Sequence, residues 1–273
     1  MIVFPNAKIN LGLFITEKRT DGFHNLESLF LPIPLCDILE VTVTMEDTSL
    51  VCTGESSDIP TEKNIVFKAW KLLQVAYGID PVKIHLHKII PSGAGMGGGS
   101  SDGSFMLKAL NELFQLNLSV SQLEGFAAQL GSDCPFFIQN KPALVSGRGE
   151  GVVPVEFNLE GKYLVIVNPG IHISTSQAFR GIQSKSSSFN WKEFIQHKDF
   201  EKIELRNDFE QSVFLLYPEI AEIKSTLLNA GALYSSMSGT GSTVYGLFKE
   251  EPHLEWVEKY FSRTFLLTGM YSE

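Results

Sequence analysis

Five glycines fall within Gly93–Gly99, inside the run Pro91-Ser-Gly-Ala-Gly-Met-Gly-Gly-Gly-Ser-Ser-Asp102, out of 23 glycines in the chain. Glycine lets the backbone approach an anion closely and take positive φ, so several N–H groups can converge on phosphate oxygens. The run follows an alternating apolar segment and opens a helical pattern, whose dipole adds positive potential at its start. No Gly-Lys-Ser/Thr follows, which excludes a Walker A loop, and no acidic ribose partner ends a following strand, which excludes a dinucleotide fingerprint. Flexible linkers are not placed between a strand and a helix in this way. The run therefore reads as an anion cradle.

Three further groups carry chemistry. In Pro5-Asn-Ala-Lys8-Ile-Asn10-Leu, alternation puts Lys8 and Asn10 on one strand face and Ala7, Ile9 and Leu11 on the other. A lysine and an amide side by side could polarise a hydroxyl or phosphate; the same pattern also suits a solvated strand face. In Gly131-Ser-Asp133-Cys-Pro135-Phe-Phe, a carboxylate lies just past a helix end on a proline-stiffened segment. That arrangement suits a fixed general base, or a helix-exit turn aspartate. Phe23 and His24, in Asp-Gly-Phe-His, and Phe179, after Asn168-Pro-Gly170, could stack on and hydrogen-bond a base or sugar, or be ordinary surface residues.

The elements that must position these groups follow from periodicity. Ile38–Met45 and Val82–His87 alternate as half-buried strands do, and Leu144–Ser146, Tyr163–Val167, Ala232–Met237 and Ser242–Phe248 read as further strands. Asn64 caps a helix with Val66, Ala69, Trp70, Leu73 and Ala76 on its apolar face, stopped by Gly78. After the glycine run, Met106, Leu110, Leu113 and Phe114 mark a second helix. Ser119-x-x-Gln122 opens a third, which ends at Gly131. Pro218 starts a helix over Ile220, Ile223, Leu227 and Leu228, and Pro252 starts a last amphipathic helix before a final strand. Gly147–Gly151 and Pro154 form a turn, with a domain boundary near residue 152, and Gln183–Phe189 is a serine-rich connector. This pattern predicts two layered α+β domains, residues 1–152 and 153–273.

A length of 273 residues with 44% hydrophobic and 19% charged residues accommodates two modest domains with real cores. The net charge of −9 argues against nucleic acid or an anionic membrane as partner, while leaving room for a polyphosphate bound by local donors. Cys36, Cys52 and Cys134 are odd in number and lack metal-like spacing, as expected of reduced thiols in a cytoplasmic protein. No secretory h-region or membrane span is read from the sequence.

Taken in order, Pro5-Asn-Ala-Lys-Ile-Asn-Leu, Asp-Gly-Phe-His24, Pro91–Ser101, Gly-Ser-Asp-Cys-Pro135 and Ser238-Gly-Thr-Gly-Ser242 resemble the GHMP kinase superfamily along nearly the whole chain. The resemblance implies a ribosomal-S5-like N-terminal ATP-binding domain and a ferredoxin-like C-terminal substrate domain. It implies ATP as co-substrate with Mg2+, and transfer to the 2-hydroxyl of a cytidine diphosphate-linked methylerythritol. Carried over by position, Lys8 and Asp133 would be the catalytic pair. Pro91, Ser92, Gly93, Ala94, Gly95, Met96, Gly97, Gly98, Gly99, Ser100 and Ser101 would hold the ATP phosphates, with Asn64 and Lys88 near adenine. Asn10, Phe23, His24 and Phe179 would take the cytidine and erythritol, and Ser238–Ser242 would brace the site. Ser101 and Asp102 are the candidates for a cation. The chain departs from the family at Phe23, usually Tyr, and at Asp102, where Asn or a small residue is frequent. A mevalonate- or homoserine-type kinase, or a non-catalytic nucleotide-binding module, would share the glycine run. A monomer or weak homodimer is compatible with the chain.

Overall fold

Alternation along Val82–Lys88 becomes a strand whose even-numbered residues are buried, and this parity carries the polar Lys88 onto the buried face along with Val82, Ile84 and Leu86. The computed structural model describes residues 1–55, 59–180, 182, 187–200, 204–255, 257 and 264–267. These residues form two compact units interleaved along the sequence. One comprises Met1–Lys8, Leu35–Ser92 and Gly97–Lys141; the other comprises Ile9–Pro34, Gly93–Met96 and Pro142–Glu273.

In the first unit, β1 (Ile2–Val3), β4 (Ile38–Val43), β5 (Ser49–Gly54) and β6 (Val82–Lys88) form a sheet of order β1-β4-β6-β5. β4 runs antiparallel to β6 and β5 parallel to it. A parallel pair needs a crossover, supplied by a 3-10 turn at Thr61–Lys63 and helix α1 (Ile65–Tyr77). Asn64 caps α1 by accepting from Val66 N at 3.1 Å, and Gly78 ends it in the left-handed region at φ 65°. Helix α2 (Gly98–Leu113) starts inside the glycine run. Helix α3 (Val120–Leu130) has the full Ser119–Gln122 capping box. Leu39, Val41, Ile84 and Leu86 of the sheet pack on Val66, Ala69, Leu73, Met106, Leu110 and Ala127 of the helices. A fourth helix, α4 (Cys134–Gln139), follows α3 directly, with Asp133 as its N-cap and Pro135 in its first turn. Asp133 is therefore a helix entrance, rather than only the exit turn of the preceding helix.

The second unit contains most of a sheet of order β2-β3-β7-β8, built from β2 (Asn6–Lys18), β3 (His24–Cys36), β7 (Ala143–Gly147) and β8 (Gly151–Pro154). A second sheet of order β10-β11-β9-β12 joins β9 (Tyr163–Val167), β10 (Tyr234–Met237), β11 (Val244–Phe248) and β12 (Thr264–Leu267), every pair antiparallel. Helices α5 (Thr175–Ala178), α6 (Trp191–His197), α7 (Phe209–Leu216) and α8 (Pro218–Asn229) belong to this unit. Val165, Val167, Val244 and Met237 pack there with Phe209, Val213, Ile220, Ile223 and Leu227.

The structure corrects one sequence expectation here: residues 151–154 are a strand rather than a turn, with Val152 opposite Val145. Much of the serine-rich connector and of the segment expected to be the last helix lies outside the described residues. Among the described residues, no helix is long and apolar enough to cross a membrane.

Candidate active site

Lys8 lies near the start of β2 and is only 3% exposed, which rules out the solvated-face reading of its strand. Its Nζ is 3.8 Å from Oδ2 of Asp133, whose side chain is 32% exposed. One carboxylate oxygen can thus meet a ligand while the ammonium stays in the protein. Burial lowers the pKa of Lys8, and the attraction of Asp133 offsets this only in part. Asp133 is set by what surrounds it: Ser104 Oγ donates to Cys134 O at 2.7 Å and to Ser100 O at 2.8 Å, tying the start of α4 to the first turns of α2. The Cys134 thiol is pushed up to about 11 by burial, so it stays protonated and is no nucleophile.

The glycine run meets this pair at Gly97, the N-cap of α2, which has φ 70°. A Cβ there would lie 3.0 Å from Cζ of Phe137 and 3.2 Å from Cγ of Lys8. Glycine is required by both the backbone angle and the space, and the bend lies directly against the stem of Lys8. No side chain caps α2, so its first N–H groups keep their capacity for an external acceptor. Ser101 Oγ and Asp102 Oδ1, near the start of the same helix, are buried without a hydrogen-bond partner. Such hard oxygens suit a magnesium ion, and a coordination partner would remove the penalty of their isolation. Among the described residues, no group of three or more His, Cys, Asp or Glu side chains could cage a metal.

Lys88 lies beneath the same turn. Its ammonium, placed on the buried face by strand parity, binds Asp37 and, at 2.7 Å, Oδ2 of Asp102. Asp37 Oδ1 also accepts Ile89 N at 2.6 Å and Ile90 N at 2.9 Å. The Asp102 carboxyl is pushed up to about 8 by burial, against the pull of Lys88. Burial alone would lower Lys88, but the two carboxylates outweigh it and raise its pKa. Asp37 was not anticipated from the sequence; a lone acid inside the apolar stretch Leu35–Leu39 was the available signal. Asn64 is buried, caps α1 and donates to Sγ of Cys52 at 3.6 Å.

The remaining predicted residues fall in the second unit. Asn10 is 1% exposed and its side-chain amide donates to Ser28 Oγ at 3.0 Å, while its main-chain carbonyl accepts from the hydroxyl of Tyr245 at 2.6 Å. Ser238 Oγ donates to Gly95 O at 2.9 Å and to Asn10 Oδ1 at 3.4 Å, so the Ser238–Ser242 turn braces the middle of the glycine run. A Cβ on Gly95 would collide with the carbonyl of Ser238. His24 stacks on Phe179 with ring centroids 4.9 Å apart, and Phe179 meets Phe209 edge to face. Phe23 does not join this stack: the residue is 55% exposed and its ring lies under the guanidinium of Arg148.

Comparison with known proteins points one way. Residues 64–141 match the family of GHMP kinases N terminal domains, and residues 192–265 match the GHMP kinases C terminal family. A 4-diphosphocytidyl-2-C-methyl-D-erythritol kinase of Azobacteroides pseudotrichonymphae genomovar. CFP2 is 50% identical over 252 residues, covering 92% of this chain and 94% of that protein. The enzyme of the same name from Parabacteroides distasonis is 45% identical across 100% of both chains. A crystal structure of 4-(cytidine 5'-diphospho)-2C-methyl-D-erythritol kinase superimposes with a TM-score of 0.83 at 29% identity, covering 98% of each chain.

Proposed function

The chain belongs to the GHMP kinase family, and on that premise we propose that it transfers the γ-phosphoryl group of ATP to the 2-hydroxyl of 4-diphosphocytidyl-2-C-methyl-D-erythritol, a step toward isoprenoid precursors by the non-mevalonate route. One observation carries the chemical half of this reading: the buried Lys8–Asp133 pair against the glycine bend at Gly97. The substrate half follows from near-full-length identity to kinases named for that alcohol.

Phosphoryl transfer through a loose transition state asks for positioning and charge neutralisation more than for covalent chemistry. Asp133 accepts the proton of the attacking hydroxyl. Lys8 keeps positive charge beside that oxygen and beside the group in flight, in a setting too dry for water to screen it fully. Pro91–Ser101 holds the phosphates through backbone N–H groups at the start of α2. When bound, Mg2+ neutralises phosphate charge, and Ser101 and Asp102 are the residues that would hold it. Asn64 and Lys88 are assigned to the adenine end, Lys88 with its ammonium fixed by Asp37 and Asp102. Asn10, Phe23, His24 and Phe179 are assigned to the cytidylyl substrate. We retain residues 1–152 and 153–273 as the ATP-binding and substrate segments, the free thiols as a mark of the cytoplasm, and a monomer or weak homodimer as the working form.

The test is ADP release with ATP, magnesium and a panel of acceptors. The cytidylyl alcohol should support turnover, and mevalonate and homoserine should not. Turnover with either of those, or none with any acceptor, overturns the assignment.

A further inference from the structure

The outward face of β6 carries two histidines where its inward face carries Lys88. Alternation turns Val82, Ile84, Leu86 and Lys88 inward, so Lys83 and His85 face solvent and His87 is half-buried beside them. β5 runs parallel to β6 and sets Val51 opposite His85 and Thr53 opposite His87. The inward residues of this sheet pack on α1, α2 and α3, and Val51 on the other face is 56% exposed, so an ion can reach the histidines from solvent.

Thr53 Oγ1 lies 2.9 Å from Nε2 of His85 and 2.9 Å from Nδ1 of His87. Two imidazoles on a solvated face thus aim ring nitrogens at one point. A hydroxyl has a single proton to donate, so it serves one of these nitrogens, and the other ring must donate its N–H to the hydroxyl oxygen. A dication at that point would accept both lone pairs at once. His85 would coordinate through Nε2 and His87 through Nδ1, each keeping its proton on the remaining ring nitrogen. Metal–imidazole bonds run about 2.0–2.1 Å, so both rings must rotate slightly inward, which an open face permits. The charges nearby favour an ion: Lys83 is paired with Glu46 at 2.8 Å, and the exposed Glu40 lies opposite His85 on β4.

We propose that His85 and His87 chelate a transition-metal dication of the Zn2+, Ni2+ or Cu2+ class, with water completing its coordination shell. Two histidines fall short of the three-ligand cage that is absent among the described residues, so the ion exchanges with solvent rather than holding the fold together. Imidazole selects ions of this class, whereas Mg2+ takes oxygen ligands. The site is therefore chemically separate from the Ser101 and Asp102 oxygens, and it stands independently of the kinase reaction.

The experiment uses the full chain in excess Mg2+. Calorimetric titration with Zn2+ compares wild type with His85→Gln and His87→Gln, and electron paramagnetic resonance of added Cu2+ reads the ligands directly. Wild type should bind Zn2+ in spite of the Mg2+, and its Cu2+ spectrum should show splitting from two nitrogens. Each variant should weaken Zn2+ binding by at least the roughly tenfold that loss of even an outer-shell partner costs. Circular dichroism checks that the variants fold; should one fail, the wild-type spectrum still decides. Unchanged Zn2+ affinity in both variants, or a wild-type Cu2+ spectrum without the two-nitrogen signature, overturns the site.

Discussion

Replacing Lys8 by methionine should stabilise the protein and stop its chemistry in one step. Lys8 is 3% exposed, and burial lowers its pKa in spite of Asp133 at 3.8 Å, so the fold bears a net cost for the ammonium. At an effective dielectric of ~20 that separation is worth about 4 kcal/mol of attraction. Water over the 32%-exposed Asp133 side chain reduces it further. Desolvating an ammonium costs several kcal/mol, and the direction of the pKa shift says this outweighs the attraction. Methionine fills a similar volume without the charge, and Asp133 can be solvated once alone. Lys8→Met should therefore gain about 0–2 kcal/mol, or a few degrees in Tm, while kcat falls roughly 10²–10³-fold. Differential scanning calorimetry across pH supplies a second sign. Between the lowered value and the ordinary 10.5, the unfolded chain binds more protons than the folded one, so wild-type stability rises with pH there. The variant should lack that rise. A loss of more than about 1 kcal/mol, or near-normal turnover, refutes the reasoning.

Three further outcomes follow from the same geometry. The alkaline limb of the kcat profile should begin below pH 10.5, since loss of the Lys8 proton removes the positive charge; a profile flat through pH 10.5 would contradict this. Gly97→Ala should lose about 1–3 kcal/mol by chemical denaturation and lower kcat through displacement of Lys8. Gly78→Ala, with a similar φ of 65° but nothing within 4 Å, should lose only the backbone part and keep kcat; equal effects would show that crowding against Lys8 is immaterial. Phe179→Ala should raise the acceptor KM about fivefold or more at unchanged ATP KM, as loss of a stacked base–aromatic contact predicts. An unaltered acceptor KM would return the His24–Phe179 stack to core packing.

Local rules made much of the fold legible. Asn64 with Gly78, and Ser119 with Gln122, mark helix ends by hydrogen bonds that close within a few residues, and the structure places α1 and α3 at those signals. Strand alternation did the same for β4 and β6. Short elements were missed because their signals point two ways. Gly151–Pro154 carries turn residues at both ends, yet pairing with β7 makes it a strand. Ser174-x-x-Gln177 is a capping box for a helix of only four residues, α5, too short for any periodicity. Pro135 two residues after Asp133 marked α4, but Gly131 drew the reading toward a helix exit.

The site was legible as a set of residue types, not as an arrangement. Lys8 and Asp133 are separated by most of the first half of the chain, and no local pattern reports that β2 and α4 bring them within 3.8 Å. The burial of Asp37, Lys88 and Asp102 in one cluster is likewise a property of packing. Parity alone placed Lys88 inward, and only the fold supplies its two carboxylates. Phe23 and Phe179 looked equivalent as aromatics. The sheet gives one an arginine and the other a histidine.

The most direct measurement is a single-turnover rate for Asp133→Asn with bound ATP and acceptor, beside the dissociation constants of both ligands. If Asp133 removes the proton of the attacking hydroxyl, the chemical step slows roughly 10²–10⁴-fold while both ligands bind within about twofold of wild type. A chemical step near the wild-type rate would contradict the account.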